Sequence, residues 1–588
     1  MTVAGWAQIA ALILVLTGLT PLLGGYMARV YQGQRVALSS VLRPIEYSLY
    51  RLLRVSHEEE QDWKAYARSV LIFSAAGWIV LYVVLRTQAG HPFNPQDFHA
   101  GPWNLSFNTA SSFVSNTSWQ YYGGETTLSY FSQMAGITVA SFTSGAVGIA
   151  VAIAVTRGLA RRGTELLGNF WVDMIRSLLY VLAPLSVIAG LLLVSQGALQ
   201  NLSHYLTVQG STGLTQQIGM GPVGSQESIK LLSGDGGGFF NTNSAMPFEN
   251  PSGFSNFVEL LLMLLVPAAL TYTFGRMVGR RRQGWALYAA MLIMFVGGIV
   301  VVYAAEVHGT PAQHAAGLHT HVFSGSTGGN LEGKEQRFGV AGSALFAASG
   351  TASGDGAVDS ALESLTGLGS TVPMANIMSG EVIFGGPGSG LYGMLLLVVV
   401  AVFIAGLMVG RTPEFLGKQI QMREVKLAIV GALFVPAAVL ALSAFALVSH
   451  TGTQSISTAA GTGTPQGFSE SVYAYLSQAS NNGSAFAGYT GYVQPNPGNV
   501  GAHGITFADI AGGLVMTFGR FVPILAVLAL AGSLGTRRVA PTGPGTMRTD
   551  TPTFVIFLVS FVIIVAVLTF LVVLFEGPLA QALSSHLY

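Results

Sequence analysis

Ten apolar runs, each long enough to cross a lipid bilayer, dominate this sequence of 588 residues. The first extends from about Val3 to Tyr26, and the others are centred near residues 77, 145, 187, 266, 295, 399, 438, 520 and 564. About 20 apolar residues in a helix span the hydrocarbon core, where backbone polar groups must bond within the protein. Only 9% of the side chains are charged, against about 25% in a soluble domain. We therefore predict an all-α integral membrane protein with ten transmembrane helices.

Charge and cysteine content exclude several classes of function. A net charge of +1 does not provide the concentrated basic surface that nucleic-acid binding requires. The absence of cysteine from the sequence excludes disulfides, thiolate zinc sites and cysteine nucleophiles. Glycine is abundant, with 74 residues. It serves close helix contacts and bent backbone that lines a cavity.

The distribution of Lys and Arg between the apolar runs predicts the orientation of the chain. No basic residue precedes the first run, and basic residues then recur after every second crossing. Those on the predicted inner side are Arg29, Arg35, Arg43, Arg51, Arg54, Arg157, Arg161, Arg162, Arg276, Arg280, Arg281, Arg282, Arg411, Lys418, Arg423, Lys426, Arg537, Arg538 and Arg548. Across the long outer loops we find only Lys230, Lys334 and Arg337. Because cytoplasmic loops are enriched in Lys and Arg, both termini are predicted to lie outside.

Four outer loops, after the second, fourth, sixth and eighth runs, share one pattern. A short amphipathic stretch leads into a polar, glycine-bearing segment, at residues 107–120, 225–238, 343–356 and 468–483. When Ser118, Gly236, Gly356 and Gly483 are taken as equivalent, they are separated by 118, 120 and 127 residues. Such near-constant spacing indicates internal repeats. We predict four pseudo-repeated units of helix, pore loop and helix around one pore, with one extra helix at each end.

The repeats also define predicted boundaries along the chain. Residues 1–66 hold the first helix and a basic cytoplasmic loop, 67–165, 166–283, 284–423 and 424–545 are pore repeats 1 to 4, and 546–588 hold the last helix and an outer C-terminus.

Non-helical backbone at the depth of the membrane is stable only where it lines a water-filled cavity. Four such segments around one axis can form an ion filter. Rings of carbonyl oxygens replace the hydration shell of a monovalent cation without the tight binding of a fixed charge. Glycine permits the positive φ angles of such bends, and the short helices before them direct their negative C-terminal ends at the ion. An alternating-access carrier would instead show inverted repeats with interrupted spans. The alternative interpretation is that these are ordinary polar loops, since Ser, Asn and Gly are typical of loops.

Five stretches of the sequence closely resemble the KdpA family. They lie at 124–136, 221–230, 236–251, 380–385 and 481–488, and the likeness extends over nearly the whole chain. This family belongs to a superfamily of potassium transporters built from four span, loop and span units. The resemblance implies a subunit of the bacterial inner membrane that binds and selects external K⁺ and passes it into the membrane. There it would serve an ATP-driven, high-affinity K⁺ uptake complex.

The same resemblance implies the partners of the chain. They are a KdpB-like catalytic subunit of the P-type ATPase class, which hydrolyses ATP, and accessory KdpC-like and small KdpF-like subunits, all surrounded by membrane lipid. The chain is then not an enzyme by itself, and the Asp-Lys-Thr-Gly-Thr phosphorylation motif is missing from its sequence. K⁺ is the expected transported ligand, and no covalently bound cofactor is expected.

By motif, the resemblance also implies the residues of the K⁺ selectivity filter. They are Asn116, Thr117, Ser118, Gly234, Asp235, Gly236, Gly354, Asp355, Gly356, Asn482 and Gly483. Gln120 and Asn243 are expected close by. The two acids, Asp235 and Asp355, depart from the small or neutral polar residues that the family leads us to expect. Near the ion path they would deepen the cation well and slow release, but we expect both side chains to point into solvent at the mouth.

Two charged residues lie within or beside predicted spans. Arg520 is inside the ninth run, where a charge is costly unless it faces a cavity or a partner. By resemblance it would lie below the filter as an electrostatic barrier to leakage, and the alternative is a snorkelling or structurally paired arginine. Glu381 precedes the seventh run, next to a glycine-rich segment at 384–390. That segment is interpreted either as a flexible gate below the filter or as a tight turn.

Two other functions remain open at this stage. The four repeats alone are also compatible with an autonomous K⁺ channel or a cation-coupled K⁺ symporter of the same superfamily, which would move ions without ATP. A scaffold subunit that does not transport would bind no K⁺ at any loop.

Overall fold

Ten membrane-spanning helices form the framework of the protein. The computed structural model describes residues 1–210, 213–318, 320–322, 328–410, 412–456, 463–491, 507–539 and 547–584. Within these residues the ten helices that are long and apolar enough to cross a membrane are Val3–Tyr31, Trp63–Gly90, Ser132–Ala160, Phe170–Gln196, Gly253–Met277, Arg281–Ala315, Ser389–Val409, Met422–Val448, Phe507–Thr536 and Pro552–Leu583. They confirm the predicted number of spans. Arg411, assigned above to the inner side, lies outside the described residues.

Four shorter helices lie between the spans at the predicted pore loops, and we call them pore helices 1 to 4. They are Trp103–Val114, Val223–Leu232, Gly339–Ser353 and Pro465–Ser480. Pro465 occupies the first turn of pore helix 4, and the Thr464 hydroxyl caps it by accepting from the backbone N–H of Gly467. At 10 to 16 residues, these helices are shorter than the roughly 20 residues that a span needs. The chain therefore enters the membrane region only part of the way with each pore helix, and it crosses fully with the span that follows.

The third repeat differs from the others because its return helix is broken. A helix at Gly367–Met378 follows the third pore loop, and only after residues 379–388 does the seventh span, Ser389–Val409, begin. Gly388, with φ +104, directly precedes this span. The glycines of this connection permit a sharp change of direction that most residues resist. The sequence prediction did not contain the helix at 367–378.

The third and fifth spans form the centre of the bundle. In their most apolar stretches 78% and 83% of the residues are buried, against 22% in the second, eighth and tenth spans. Helices that are apolar on all sides and buried on all sides belong to the interior, whereas the others present a face to lipid. The first span packs on the fifth: a Cβ atom on Gly24 would lie 2.5 Å from the Ala269 carbonyl oxygen. Small residues allow such close approach of membrane helices.

The remaining elements lie at the ends of the spans. A helix at Ser39–Leu52 carries exposed apolar side chains such as Val41 and Ile45 and the exposed Arg51. Short helices also occupy Gly124–Thr127 and His450–Thr453, and 3-10 turns occupy Asn243–Ala245 and Leu362–Ser364. Three antiparallel two-stranded ribbons pair Gln61–Asp62 with Leu166–Gly168, Leu206–Gln209 with Thr215–Ile218, and Glu414–Phe415 with Lys418–Gln419.

Candidate ion-selectivity site

Each pore helix runs into a short loop, the filter loop, whose backbone has the same unusual conformation in all four repeats. Two residues per loop, separated by one, have positive φ. They are Asn116 (62°) and Ser118 (58°), Gly234 (58°) and Gly236 (73°), Gly354 (66°) and Gly356 (73°), and Asn481 (66°) and Gly483 (96°). Glycine and asparagine are the residues that tolerate this region best. The residue types that suggested loops in the sequence are thus the ones that this backbone requires.

One carbonyl in the last turn of each pore helix anchors its filter loop. It accepts a hydrogen bond from the backbone N–H of the residue five positions later, which is the middle residue of the loop. The four pairs are Ser112 with Thr117 (2.9 Å), Lys230 with Asp235 (3.1 Å), Gly350 with Asp355 (3.3 Å) and Ser477 with Asn482 (2.9 Å). This recurring bond shows that the four loops are structurally equivalent.

The filter loops contact one another in a closed ring. A Cβ atom on Gly236 would lie 1.5 Å from the Asp355 carbonyl oxygen. A Cβ atom on Gly356 would lie 2.2 Å from the Asn482 carbonyl oxygen. A Cβ atom on Gly483 would lie 1.9 Å from the Thr117 carbonyl oxygen. The ring closes because Ser118 Oγ donates a hydrogen bond to the Asp235 carbonyl oxygen. Four backbone carbonyls, from Thr117, Asp235, Asp355 and Asn482, thereby lie at the contacts between successive loops.

The structure brings together all eleven residues expected in the filter and adds one that the sequence prediction omitted. Asn481 has the same place in the fourth loop as Asn116, Gly234 and Gly354 have in theirs. Its Nδ2 donates to Thr117 Oγ1 at 2.8 Å and to the Met516 carbonyl oxygen at 3.0 Å. Extending the three-residue pattern of the other loops by one position would have identified it.

The acidic side chains of Asp235 and Asp355 are not at the mouth of the pore. Both residues are 0% exposed, so the expectation that they point into solvent is wrong. The middle residue of the fourth loop, Asn482, directs its side chain toward pore helix 3, because its Nδ2 donates to the Gly350 carbonyl oxygen at 3.1 Å.

Gln120 and Asn243 lie directly beside the second filter loop, as expected. Gln120 Oε1 accepts from the backbone N–H of Gly238 at 3.0 Å, and Asn243 Nδ2 donates to the Gly237 carbonyl oxygen. Both also line a cavity of about 770 Å³ on one side of the ring, together with Ser118 and other filter residues. We call this cavity the vestibule.

On the opposite side of the ring, the connection 379–388 passes directly beneath the filter loops. A Cβ atom on Gly354 would lie 2.7 Å from Glu381 Oε2, and one on Gly234 would lie 2.2 Å from Pro387 Cδ. Glu381 itself has a positive φ of 52° and is 4% exposed. The glycine-rich segment is therefore more than a turn at the edge of the bundle, because it crosses below the ring.

Arg520 and Glu381 line the same cavity, of about 90 Å³, below the ring. Arg520 is 5% exposed, and its Nη2 donates to the Ser144 carbonyl oxygen at 3.3 Å. This geometry does not fit a snorkelling arginine, whose charge would reach the membrane surface. A buried positive charge thus lies beside the inner cavity. Asn481 and Tyr392 also line it.

Ten spans with four pore loops closed around one axis define the chain as a multi-pass membrane protein with a four-loop pore. The fold is similar to that in the crystal structure of the potassium transporter TrkH from Vibrio parahaemolyticus, with a TM-score of 0.51 and 14% sequence identity over 89% of this chain and 98% of that one. The sequence model of the KdpA family, described as the potassium-transporting ATPase A subunit, matches residues 10–583. The chain belongs to the KdpA family.

Relatives are similar over their whole length. The chain is 48% identical over 584 residues to a protein from Brucella anthropi, covering 99% of both chains. It is 50% identical over 581 residues to a protein from Methylorubrum extorquens, covering 99% of this chain and 98% of that one. Each is named potassium-transporting ATPase potassium-binding subunit.

Proposed function

We propose that the chain binds and selects K⁺ at the ring of filter loops and passes it into the membrane as the K⁺-binding subunit of an ATP-driven uptake complex. The observation that carries this proposal is the closed ring, in which a backbone carbonyl lies at each contact between successive loops. The names of the relatives, which cover nearly the whole chain, support the same role. The site residues are the eleven filter residues, Asn481, and Gln120 and Asn243 at the outer side.

In this function an ion enters from the vestibule and exchanges its water shell for carbonyl oxygens. Dipoles hold the ion less tightly than a fixed charge would, so it can leave again. The pore helices direct the negative ends of their dipoles at the ring and favour a cation there. The side chains of Asp235 and Asp355 are buried, and the ion is held by backbone oxygens rather than by their carboxylates.

Below the ring, the connection 379–388 acts as a gate, and Arg520 acts as an electrostatic barrier to downhill leakage. The support is positional, since Glu381 and Pro387 lie against Gly354 and Gly234 of the filter loops. A fixed positive charge in the inner cavity raises the energy of a cation that has passed the ring without being taken up by the energised complex.

The energy for transport comes from a partner subunit of the P-type ATPase class, and KdpC-like and KdpF-like subunits complete the complex. The chain itself hydrolyses no ATP and uses no covalently bound cofactor. It lies in the bacterial inner membrane with both termini outside, an orientation that the distribution of Lys and Arg supports. We propose that the pore repeats occupy residues 67–165, 166–283, 284–423 and 424–545, with the loop of each repeat between two spans.

The proposal is tested with the chain alone and with the complete complex, each purified in mild detergent and placed in liposomes. K⁺ is expected to stimulate ATP hydrolysis by the complex, and uptake is expected only with the partner and ATP. Uptake by the chain alone, without ATP, would instead establish an autonomous channel or symporter. Absence of K⁺ stimulation together with absence of K⁺ binding would leave only a scaffold.

A further inference from the structure

A buried lysine lies behind the filter loop of the second repeat, and the other three loops have no counterpart to it. Lys230 is 2% exposed. Its backbone carbonyl anchors the loop in the way described above, and Ser112, Gly350 and Ser477 occupy the equivalent positions. Burial of a lysine this deeply is costly unless its charge is paired or its donors are satisfied.

The ammonium group of Lys230 has four polar contacts. Nζ donates to the Gly237 carbonyl oxygen and to Asn243 Oδ1, each at 2.8 Å. It also forms ion pairs with Glu227 Oε2 at 2.8 Å and with Glu249 Oε2 at 3.5 Å. One of the four partners, Glu227, belongs to pore helix 2, as Lys230 itself does, whereas Gly237, Asn243 and Glu249 follow the filter positions. The lysine thus ties the pore helix to the chain beyond the filter.

The carboxylates that form ion pairs with Lys230 are themselves held by hydrogen bonds. Ser244 Oγ donates to Glu227 Oε1 at 2.9 Å, and the backbone N–H of Phe240 donates to Glu249 Oε1 at 3.0 Å. Both carboxylates therefore bridge the ammonium to residues just after the loop. Charge-assisted hydrogen bonds of this kind are shorter and stronger than neutral ones.

The second filter loop needs this support more than the other loops do. It continues through Gly236, Gly237 and Gly238, and Gly237 also has a positive φ of 75°. In the other loops the residues after the third filter position are Trp119, Ala357 and Ser484. Glycine has no side chain to pack and the largest backbone freedom, so a run of three is fixed only by its hydrogen bonds. Lys230 and Asn243 both bond the Gly237 carbonyl oxygen.

We infer that Lys230 is a positioning residue for ion selectivity. It holds the Gly237 carbonyl toward the protein and thereby fixes Gly236, whose neighbour in the ring is the Asp355 carbonyl. It acts through the backbone of the loop and does not contact the ion. This inference rests on the proposed function, because selectivity can be measured only if the chain binds K⁺.

The test uses the complete complex with its ATPase partner and three variants, Lys230→Met, Lys230→Arg and the charge-balanced Lys230→Met/Glu227→Gln. The double variant removes the ammonium and one carboxylate together, so it leaves the net charge of the cluster unchanged. Lys418→Met is the matched control. Lys418 is also a buried lysine, 1% exposed, and it donates to the backbone carbonyls of Gly158 and Arg161, far along the chain from the filter loops.

Two quantities are measured: the K⁺ concentration that half-maximally stimulates ATP hydrolysis, and the ratio of the corresponding Rb⁺ and K⁺ concentrations. Lys230→Met and the double variant are expected to raise the K⁺ value about tenfold, the loss typical of a hydrogen bond to a charged group, and to bring the ratio closer to one. Lys230→Arg keeps a buried cation with several donors and is expected to shift both quantities less. Lys418→Met is expected to leave the ratio unchanged.

Two results would overturn the role of Lys230 while leaving the proposed function intact. One is a double variant with the K⁺ value and ratio of the unaltered complex. The other is a control that changes the ratio as much as Lys230→Met does, because the effect would then come from loss of any buried lysine. An unaltered complex that K⁺ does not stimulate would overturn the proposed function itself.

Discussion

A Cβ atom on Gly236 would lie 1.5 Å from the carbonyl oxygen of Asp355, which belongs to the next filter loop in the ring. Gly236 also has a φ of +73°, which residues with a side chain rarely adopt. Any substitution therefore meets both a backbone atom that cannot move alone and a conformation that it disfavours. The displaced atom would be one of the four carbonyl oxygens at the contacts of the ring.

Gly236→Ala is accordingly expected to weaken K⁺ binding and to reduce discrimination against other monovalent cations. Gly236→Asp adds a negative charge next to a carbonyl oxygen and is expected to have the larger effect. The measurement is K⁺-stimulated ATP hydrolysis by the complex, with Na⁺ and Rb⁺ as competitors. Gly297→Ala is the control, since a Cβ at Gly297 in the sixth span would meet nothing within 4 Å. Unchanged selectivity in Gly236→Asp would contradict the assignment of the ring.

Ser118 is the serine in a position that the other three loops fill with glycine. With φ at 58°, it tolerates glycine well, whereas a β-branched residue is strongly disfavoured there. Ser118→Gly is therefore expected to keep most of the K⁺ selectivity, losing only the hydrogen bonds of the hydroxyl to the carbonyl oxygens of Thr117 and Asp235. Ser118→Val is expected to lose the K⁺ selectivity. The pair is compared by competition between K⁺ and Rb⁺ uptake, and equal behaviour of the two variants would count against a backbone role for this position.

Arg520→Gln is expected to increase passive K⁺ leakage through the complex. Glutamine retains a donor for the Ser144 carbonyl but removes the positive charge from the inner cavity, and with it the barrier to a cation. Leakage is measured in liposomes without ATP under a K⁺ gradient. Arg423→Gln, at an exposed arginine near the start of the eighth span, should leave leakage unaltered. An Arg520→Gln complex that leaks no more K⁺ than the unaltered complex would show that this arginine has only a structural role.

A fully buried ion pair joins Lys334 to Glu306 on the outer side of the bundle. Nζ lies 2.9 Å from Glu306 Oε2, and both side chains are 0% exposed. Removing one partner leaves a buried unpaired charge, so Lys334→Met is expected to lower the free energy of unfolding by about 3–5 kcal/mol. The double variant Lys334→Met/Glu306→Gln should recover most of this loss. Thermal unfolding in detergent measures both, and an unaltered melting temperature in Lys334→Met would refute the prediction.

Asp359, in the loop that follows the third filter loop, gives a prediction of pH dependence. Burial raises the pKa of its carboxyl group from the ordinary 3.8 to about 7. The folded state therefore holds a proton that the unfolded state has lost between these two values, so this group makes stability fall as the pH rises from about 4 to 7. Above pH 7 both states are ionised and the cost is constant.

Asp359→Asn is expected to remove this contribution, on the order of 1.4 kcal/mol for each pH unit in that range. The difference in unfolding free energy between Asp359→Asn and the unaltered chain should then grow from pH 4 to pH 7 and level off. Parallel pH profiles for the two proteins would show that the carboxyl group does not keep its proton.

Several features of the fold were predictable because they depend on local properties of the chain. Hydropathy over about 20 residues identifies a span whatever its neighbours are, and all ten predicted spans are present. The filter loops were recognisable because glycine and asparagine are favoured where φ is positive, as at Gly354 and Asn116. The helix at Gly367–Met378 escaped prediction, since it is too short to stand out as a span.

The positions of individual side chains were less predictable. Asp235 and Asp355 are polar residues in outer loops, and the sequence alone favoured a solvent-exposed place for them. Lys230 was counted as an outer-loop charge, although its ammonium is buried among Glu227, Glu249 and Asn243. Burial of such groups depends on partners that become neighbours only when the loop folds back on its pore helix.

The sequence by itself determined the ten crossings, the four repeats and the residues able to adopt the filter backbone, because hydropathy and φ preference are properties of short segments. Only the tertiary structure decided which carbonyl meets which loop and that residues 379–388 cross beneath the ring. It also decided that Lys230 holds the second loop from behind. These contacts join residues from different repeats or from both sides of a bend, and their geometry arises from packing rather than from any local pattern.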